Sequence, residues 1–136
     1  MESSAGTGNL LRPLGALGRF NVTAVEVRPD LADQLCRTYV RCLDVRCADF
    51  LATNGELGQF DRIVMNPPFA NASDIKHVEH ALTKLKDGGR LVAVVANGPR
   101  QREKLMPIAS AWIDLPAGSF KEQGTNVNSA IVVIDM

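Results

Sequence analysis

The run Asn66-Pro67-Pro68-Phe69 contains residue types that can hold an amino group in place for a reaction. Each proline fixes its φ angle and lacks an N–H donor, so the turn is rigid and its carbonyl oxygens stay free to accept hydrogen bonds. These oxygens and the side-chain oxygen of Asn66 can hold the hydrogens of an amine and direct its lone pair at an electrophilic methyl group. Phe69 offers a ring on which a planar target can stack. The motif therefore predicts methylation of an amino nitrogen, unless it is only a turn that ends a strand.

A second candidate site lies near the amino terminus, where Gly6 and Gly8 can let the backbone approach a ligand closely. The fingerprint of dinucleotide-binding proteins needs a third glycine three positions after Gly8, and that position is Leu11, so a pyrophosphate loop is disfavoured. Glu26 ends the next predicted strand, at about the distance at which such folds bind ribose hydroxyls. The glycine turn and Glu26 therefore predict a site for a ligand that contains a ribose.

Asp49-Phe50 follows the next predicted strand along the chain. The carboxylate of Asp49 suits the amine of an adenine, and the ring of Phe50 suits its flat face. The pair therefore extends the predicted site from a ribose to an adenosine.

The elements that must position these residues follow from the spacing of apolar residues and turn signals. Strands are predicted at residues 20–27, 43–47, 62–65, 91–96, 112–115 and 131–134. Helices are predicted at residues 10–17, with Pro13 in the first turn, at 31–39 and near 102–108. This alternation predicts an α/β fold in which a mostly parallel sheet is covered by helices on both faces and binds ligands at the carboxyl ends of its strands.

One more helix is predicted to begin after the proline motif, with Ser73 or Asp74 as its N-cap. Gly88-Gly89 is predicted to end it by allowing a left-handed residue. Its apolar face is formed by Ile75, Val78, Leu82 and Leu85.

Composition limits the remaining possibilities. The 136 residues, 46% of them hydrophobic, fit one domain spanning residues 1–136, without a separate target-recognition domain. The 15 basic and 15 acidic residues do not favour tight nucleic-acid binding without help. No apolar run approaches the roughly 20 residues of a membrane span, so a cytoplasmic protein without membrane contact is expected. No metal site is predicted, because the three cysteines lack zinc-site spacing, and His77 and His80 read as a solvated helix face.

The run from Glu2 to Asn9, with Glu26, Asp49-Phe50 and Asn66-Pro67-Pro68-Phe69, resembles the class I S-adenosylmethionine-dependent methyltransferases that carry an Asn-Pro-Pro-Phe/Tyr motif. It resembles especially the adenine-specific DNA methylases of the prophage and restriction-associated type, and residues 118–121 and 124–128 look like their late hairpin. The resemblance implies a Rossmann-like fold with an antiparallel C-terminal hairpin, S-adenosylmethionine as cofactor, and adenine in DNA as the target. Guanine in ribosomal RNA, a glutamine amide in a protein, and a non-catalytic remnant or donor-binding module remain alternatives.

The same resemblance implies roles for individual residues. The methionine end of the donor would be lined by Glu2, Ser4, Ala5, Gly6 and Gly8. Glu26 would bind its ribose, and Asp49 with Phe50 would bind its adenine. The substrate amine would be held by Asn66, Pro67, Pro68 and Phe69.

Family members also have an apolar strand before the glycine turn, whereas here Met1 directly precedes Glu2. The first strand is therefore expected to be missing or incomplete in this sequence. An open slot beside a central strand would leave backbone donors and acceptors unpaired. Self-association, a specificity partner or a local rearrangement is expected to compensate.

Overall fold

The computed structural model describes residues 1–14, 21–39, 43–120 and 126–136, and in this part of the chain six strands alternate with helices. The strands are β1 (Val22–Glu26), β2 (Leu43–Cys47), β3 (Phe60–Met65), β4 (Leu85–Ala96), β5 (Ala111–Asp114) and β6 (Ser129–Asp135). The α-helices are α1 (Leu11–Leu14), α2 (Pro29–Thr38), α3 (Ser73–Leu82) and α4 (Pro99–Leu105). Short 3-10 helices occupy Phe50–Ala52, Gly55–Leu57, Ala70–Ala72 and Met106–Ile108.

The strands form two groups that Met1 and Glu2 connect. In the first group β1 pairs with β2 in parallel, and in the second the strand order is β3-β4-β6-β5. Glu2 forms parallel bridges to both Ala24 in β1 and Val64 in β3. The Glu2 N–H donates to Thr23 O at 2.9 Å, and the Val64 N–H donates to Met1 O at 2.9 Å. These two residues therefore occupy the position between β1 and β3, where the sequence predicted a missing or incomplete strand. Self-association as compensation for this short segment stays a prediction.

Pairing within the second group is mixed. β3 and β4 are parallel, whereas β6 runs antiparallel to both β4 and β5. The predicted α/β fold with an antiparallel C-terminal hairpin is therefore confirmed. All six predicted strands are present, the second with the predicted ends and the others with shifted ends. Residue 20 of the first predicted strand and residues 15–17 of the first predicted helix lie outside the described residues.

The main hydrophobic core lies between α3, α4 and one face of the sheet. That face contributes Ile63, Met65, Leu91, Ala93, Val95, Val132 and Ile134, all at most 2% exposed. A smaller cluster joins α1 and α2 to the other face beside β1, through Leu11, Ala24 and Leu35. Because side chains alternate along a strand, the residues between the core positions of β4 and β6 point to that other face. There Val92, Val94, Ile131 and Val133 remain partly exposed.

The predicted end of α3 was wrong. The helix ends at Leu82, and Leu85 begins β4, where it is still buried in the main core. Phe60 pairs with Leu85 but Arg62 pairs with Arg90, so the residues between them bulge out of the strand. Gly88 lies in this bulge with φ at +73°, a left-handed conformation that favours glycine. The glycine pair therefore marks a bulge and not a helix end.

The predicted N-cap of α3 was also wrong, because the helix already includes Ser73 and Asp74. The residue before it is Ala72, which has no side chain that can cap. Among the described residues the longest helices, α2 and α3, have 10 residues each, and none is a candidate membrane span.

Candidate functional site

The glycine turn follows directly from the Met1 and Glu2 connection and leads into α1. The Ala5 N–H donates to Val25 O at 3.1 Å, and Gly8 O accepts from the first N–H groups of α1. Gly6 and Gly8 both have positive φ, +50° and +82°. A side chain at Gly6 would point into open space, whereas a Cβ at Gly8 would lie 3.0 Å from Leu35 Cδ2. Gly6 therefore borders open space, while Gly8 lets the turn pack against α2.

Glu26 ends β1 and is bonded to this turn. Its Oε2 accepts from the Gly6 N–H at 2.7 Å, and its Oε1 accepts from the Arg28 N–H at 2.8 Å. Each carboxylate oxygen can accept more than one hydrogen bond, so both retain acceptor capacity. The structure thus brings together the two features that the sequence analysis assigned to one site.

Glu2 and Ser3 contribute buried polar atoms beside the turn. Glu2 Oε2 and Ser3 Oγ are both enclosed, and neither has a hydrogen-bond partner among the described residues. Burial raises the pKa of Glu2 to about 8, with Glu26 adding to the rise and the terminal ammonium opposing it. Buried polar atoms without partners are unfavourable, so their presence beside an open turn fits a site that binds a polar ligand. Ser3 was not predicted, although its place inside the run from Glu2 to Asn9 was a usable signal.

Ser4 and Ala5 complete the predicted lining of the turn. Ala5 is buried in the smaller core cluster, and Ser4 is partly exposed. Ala5 therefore holds the turn against the sheet, and Ser4 is the more accessible of the two.

Asp49 lies beside this site, whereas Phe50 turns away from it. The Ala48 N–H donates to Glu26 O at 3.1 Å, which holds the start of this segment next to β1. Asp49 is exposed, and its Oδ1 accepts from the Leu51 N–H at 3.0 Å. Phe50 is only 3% exposed and belongs to the main core. Little of the ring is accessible in this structure, and adenine binding by Phe50 stays a prediction.

Two histidines of α3 hold the ring of Phe50. The His77 ring stacks on it with centroids 5.9 Å apart, and the His80 ring meets it edge-on at 4.8 Å. His77 is 7% exposed, so the pair is not the solvated helix face that was expected. Burial lowers the pKa of His80, and the charge of Lys84 lowers it further. Within the described ranges no group of three or more His, Cys, Asp or Glu residues is arranged to hold a metal ion.

The proline motif leaves the carboxyl end of β3. Asn66 and Pro68 are exposed, whereas Pro67 is fully buried. Phe69 is partly exposed, and its ring meets the ring of Phe120 at 88° with centroids 6.1 Å apart. Phe120 was not predicted as a site residue, although it lies in the 118–121 segment of the family resemblance. The structure therefore adds a second aromatic ring to the predicted amine site.

The segment after the motif has an unusual backbone. Asn71 and Ala72 both have φ at +55°. Asparagine tolerates the left-handed region, but an alanine there costs about 1–2 kcal/mol. Such strain persists only where the surrounding structure holds the chain on both sides.

The two candidate acids, the glycine turn and the proline motif lie along one edge of the sheet. Glu26, Asp49 and Asn66 each lie at or just after the carboxyl end of a parallel strand, and the glycine turn leaves the sheet between β1 and β3. In open α/β sheets this edge is where ligands bind. The arrangement can therefore hold a nucleoside-containing ligand and an amine side by side.

Comparison with known proteins places this geometry in context. The family model of the methyltransferase small domain matches residues 20–111. No curated protein matches the chain significantly.

Solved structures share the fold at low identity. The N-methyltransferase NodS from Bradyrhizobium japonicum WM9 matches with a TM-score of 0.73 and 14% identity, over 98% of this chain and 83% of that one. The 23S rRNA methyltransferase ErmE matches with a TM-score of 0.71 and 22% identity, over 98% and 59% of the two chains. The glycopeptide N-methyltransferase MtfA, solved with S-adenosyl-L-homocysteine, matches with a TM-score of 0.72 and 14% identity, over 99% and 80%.

Proposed function

The chain belongs to the methyltransferase small domain family, and from this premise we propose that it methylates an exocyclic amino group, that of adenine in DNA. The observation that carries the proposal is the position of Asn66-Pro67-Pro68-Phe69. The motif follows β3 at the same sheet edge as the glycine turn and Glu26. In this proposal the donor site and the amine site lie at the ends of two strands that only the Met1 and Glu2 segment separates.

S-adenosylmethionine is the cofactor of this family of methyltransferases, and the glycine turn fits it. When bound, it supplies a methyl group on a sulfonium that an amine nitrogen can accept directly. In this proposal Glu26 accepts from the ribose hydroxyls, and the acceptor capacity that its oxygens keep beside Gly6 supports this role. Glu2 Oε2 and Ser3 Oγ, which have no partner in the described part of the chain, offer further hydrogen-bonding sites near the turn. Asp49, exposed after β2, offers an acceptor for an adenine amine.

The residues of the proline motif act on the second substrate. Asn66 offers its side-chain oxygen and the two prolines offer carbonyls, so the site accepts the hydrogens of an amine without needing a general base. Buried Pro67 keeps these acceptors fixed. Preorganised polar groups of this kind typically change rates by about a hundred- to a thousandfold.

The aromatic pair favours a nucleic base as the group that carries the amine. Phe69 and Phe120 are both partly exposed and meet edge-to-face, so a planar base can lie against one of the rings. Guanine in RNA and a glutamine amide present the same planar amine. Because the chain has equal numbers of acidic and basic residues, capture of the substrate depends more on this aromatic pair than on a basic surface.

The test is transfer of labelled methyl from S-adenosylmethionine to DNA, RNA and a total protein extract, with calorimetry of donor binding beside it. Asn66→Ala removes one acceptor but leaves the glycine turn intact, so transfer should fall about a hundred- to a thousandfold with donor affinity unchanged. Phe69→Ala should weaken capture of a nucleic-acid substrate by roughly 1–3 kcal/mol. Asn54→Ala is the matched control, because Asn54 is an exposed asparagine between the two 3-10 helices before β3.

The outcomes of this experiment distinguish the possible methyl acceptors from one another and from a chain that only binds the donor. Labelling of DNA alone supports adenine in DNA, and labelling of RNA or protein alone selects one of the other amines. If Asn66→Ala labels as well as the parent chain, the motif is only a turn. Donor binding without labelling of any acceptor would favour a donor-binding module.

A further inference from the structure

Asp74 carries a buried carboxylate close to the proline motif. It is the second residue of α3, eight positions after Asn66, and it is fully buried. Its Oδ2 accepts from the Ala96 N–H at 2.8 Å, and Gln101 Nε2 donates to both carboxylate oxygens at 3.0 and 3.1 Å. Ala96 is the last residue of β4, and Gln101 lies in the first turn of α4. One carboxylate therefore joins three elements.

The segment between the motif and Asp74 is short and conformationally restricted. Pro67 is buried at one end, and the 3-10 turn Ala70–Ala72 leads into α3 at the other. Asn71 and Ala72 hold left-handed backbone conformations in this turn. An alanine keeps such a conformation only where both ends of the segment are fixed. Asp74 is the polar anchor at the second end.

The Asp74 carboxylate accepts more hydrogen bonds than the start of a helix requires. A helix start is ordinarily capped by a short polar side chain that accepts from its own first turn. Asp74 does contact the Ile75 N–H through Oδ1, at 3.0 Å, but it also reaches the end of β4 and the side chain of Gln101. A buried carboxylate is tolerated only when such partners are in place. The geometry of the three elements is therefore tightly coupled at this residue.

We propose that Asp74 is a positioning residue that fixes the amine loop, residues 66–72, relative to the end of β4. The inference rests on the proposed function, because it assigns the loop the task of holding the substrate amine. Asp74 touches neither donor nor amine in this scheme. Asp74 acts by keeping α3, and therefore the amine loop, in a fixed position relative to β4.

Hydrogen exchange of the donor-free protein tests the hold on the loop without relying on activity. In Asp74→Asn, an N–H₂ group replaces one acceptor, so at least one bond from Ala96 or Gln101 is lost. Exchange at the amides of residues 69–73 should then rise roughly ten- to a hundredfold, the factor expected for the loss of one bond to a charged group. Ile134→Ala is the control, because it removes core side-chain volume in β6 away from Asp74.

Two further variants separate positioning from general stability. In the double variant Asp74→Asn with Gln101→Glu, the new amide at position 74 can donate to the new carboxylate at position 101. This variant should recover part of the protection of the loop amides against hydrogen exchange. Gln101→Ala leaves Asp74 in place, so it provides a milder form of the same change if Asp74→Asn folds poorly.

Methyl transfer gives the second readout, measured in single turnovers on folded protein with the acceptor found by the labelling experiment. Asp74→Asn should lower the rate of transfer and leave donor affinity unchanged. If exchange in Asp74→Asn rises evenly over the sheet, as expected for Ile134→Ala, the proposal is overturned. It is also overturned if exchange rises in the amine loop while the rate of methyl transfer stays unchanged. If Asn66→Ala leaves transfer intact, the proposed function fails, and the exchange data still decide whether Asp74 holds the loop.

Discussion

Glu2 combines a buried side chain with a strand-like backbone, and its ionisation should affect stability. The folded protein keeps the Glu2 proton up to a pKa of about 8, whereas the unfolded chain releases it near 4.5. The folded state therefore binds more protons between these values, and stability falls as the pH rises through this window. Burial lowers the pKa of the terminal ammonium from 8.0 to about 6, which has the opposite effect between pH 6 and 8. The net decline is thus concentrated between about pH 4.5 and 6.

Glu2→Gln should remove this decline. We expect the parent chain to lose about 2 kcal/mol of unfolding free energy across that window relative to Glu2→Gln. Urea denaturation at pH 4.5, 6 and 8 measures the difference, with Glu103→Gln, an exposed position in α4, as the control. Parallel pH profiles for all three proteins would show that Glu2 is ionised in the folded state.

Glu26 should control donor affinity. Glu26→Ala removes the predicted ribose acceptor and also releases the Gly6 N–H, so donor binding should weaken by about 1.5–3 kcal/mol. Asp49→Asn should weaken it less, because Asp49 is exposed and one acceptor survives. Calorimetry with S-adenosylmethionine makes the comparison. A larger loss for Asp49→Asn than for Glu26→Ala would reverse the assignment of the two acids.

At the scale of elements, alanine substitutions at the two glycines of the turn distinguish the cost of backbone strain from the cost of steric crowding. Gly8→Ala adds a Cβ at 3.0 Å from Leu35 and 3.1 Å from Tyr39, at a φ of +82°. It should destabilise the donor-free protein by about 2–4 kcal/mol, since strain and overpacking add. Gly6→Ala meets no atom within 4 Å, so only the strain of about 1–2 kcal/mol remains. Gly55→Ala, which meets no atom and has no positive φ, should stay within about 0.5 kcal/mol of the parent in thermal unfolding.

Equal losses for Gly6→Ala and Gly8→Ala would show that α2 yields to the added methyl group. A loss at Gly55 as large as at Gly6 would show that positive φ is not the source of the strain.

Several elements were predictable because their signals are local. Alternating apolar residues gave β1, and the arginine–proline break marked its end near Arg28. Placing Glu26 and Asn66 at strand ends followed from the same reasoning, since parallel strands share a ligand-binding edge. The site was therefore predictable to the extent that strand ends define it.

The remaining features depend on tertiary pairing. Gly88-Gly89 reads as a helix stop in sequence, but pairing between Arg62 and Arg90 turns it into a bulge. Phe50 carries a ring suited to adenine, yet two histidines of a later helix draw it into the core. Neither contact has a signal in the neighbouring residues.

At the scale of the whole molecule, the backbone hydrogen bonds of Met1 and Glu2 connect the two strand groups in the described part of the chain. Glu2→Pro removes the N–H that donates to Thr23 O, while Glu2→Gln keeps it and serves as the matched control. The single tyrosine, Tyr39, lies beside the first group, and the single tryptophan, Trp112, lies in β5 of the second. We expect coincident urea transitions for Glu2→Gln and an earlier tyrosine transition for Glu2→Pro. Coincident transitions in both variants would show that side-chain packing alone couples the groups.

The connection through Met1 and Glu2 also has a consequence for the order of folding. Glu2 precedes its β3 partner Val64 by 62 positions, whereas α3 and β4 are consecutive elements that pack together. Contacts that close long loops form more slowly than local ones, because the chain loses more entropy before they are gained. Met1 and Glu2 are therefore expected to be among the last residues to reach their final place. The glycine turn that follows them acquires its final shape only when that closure is complete.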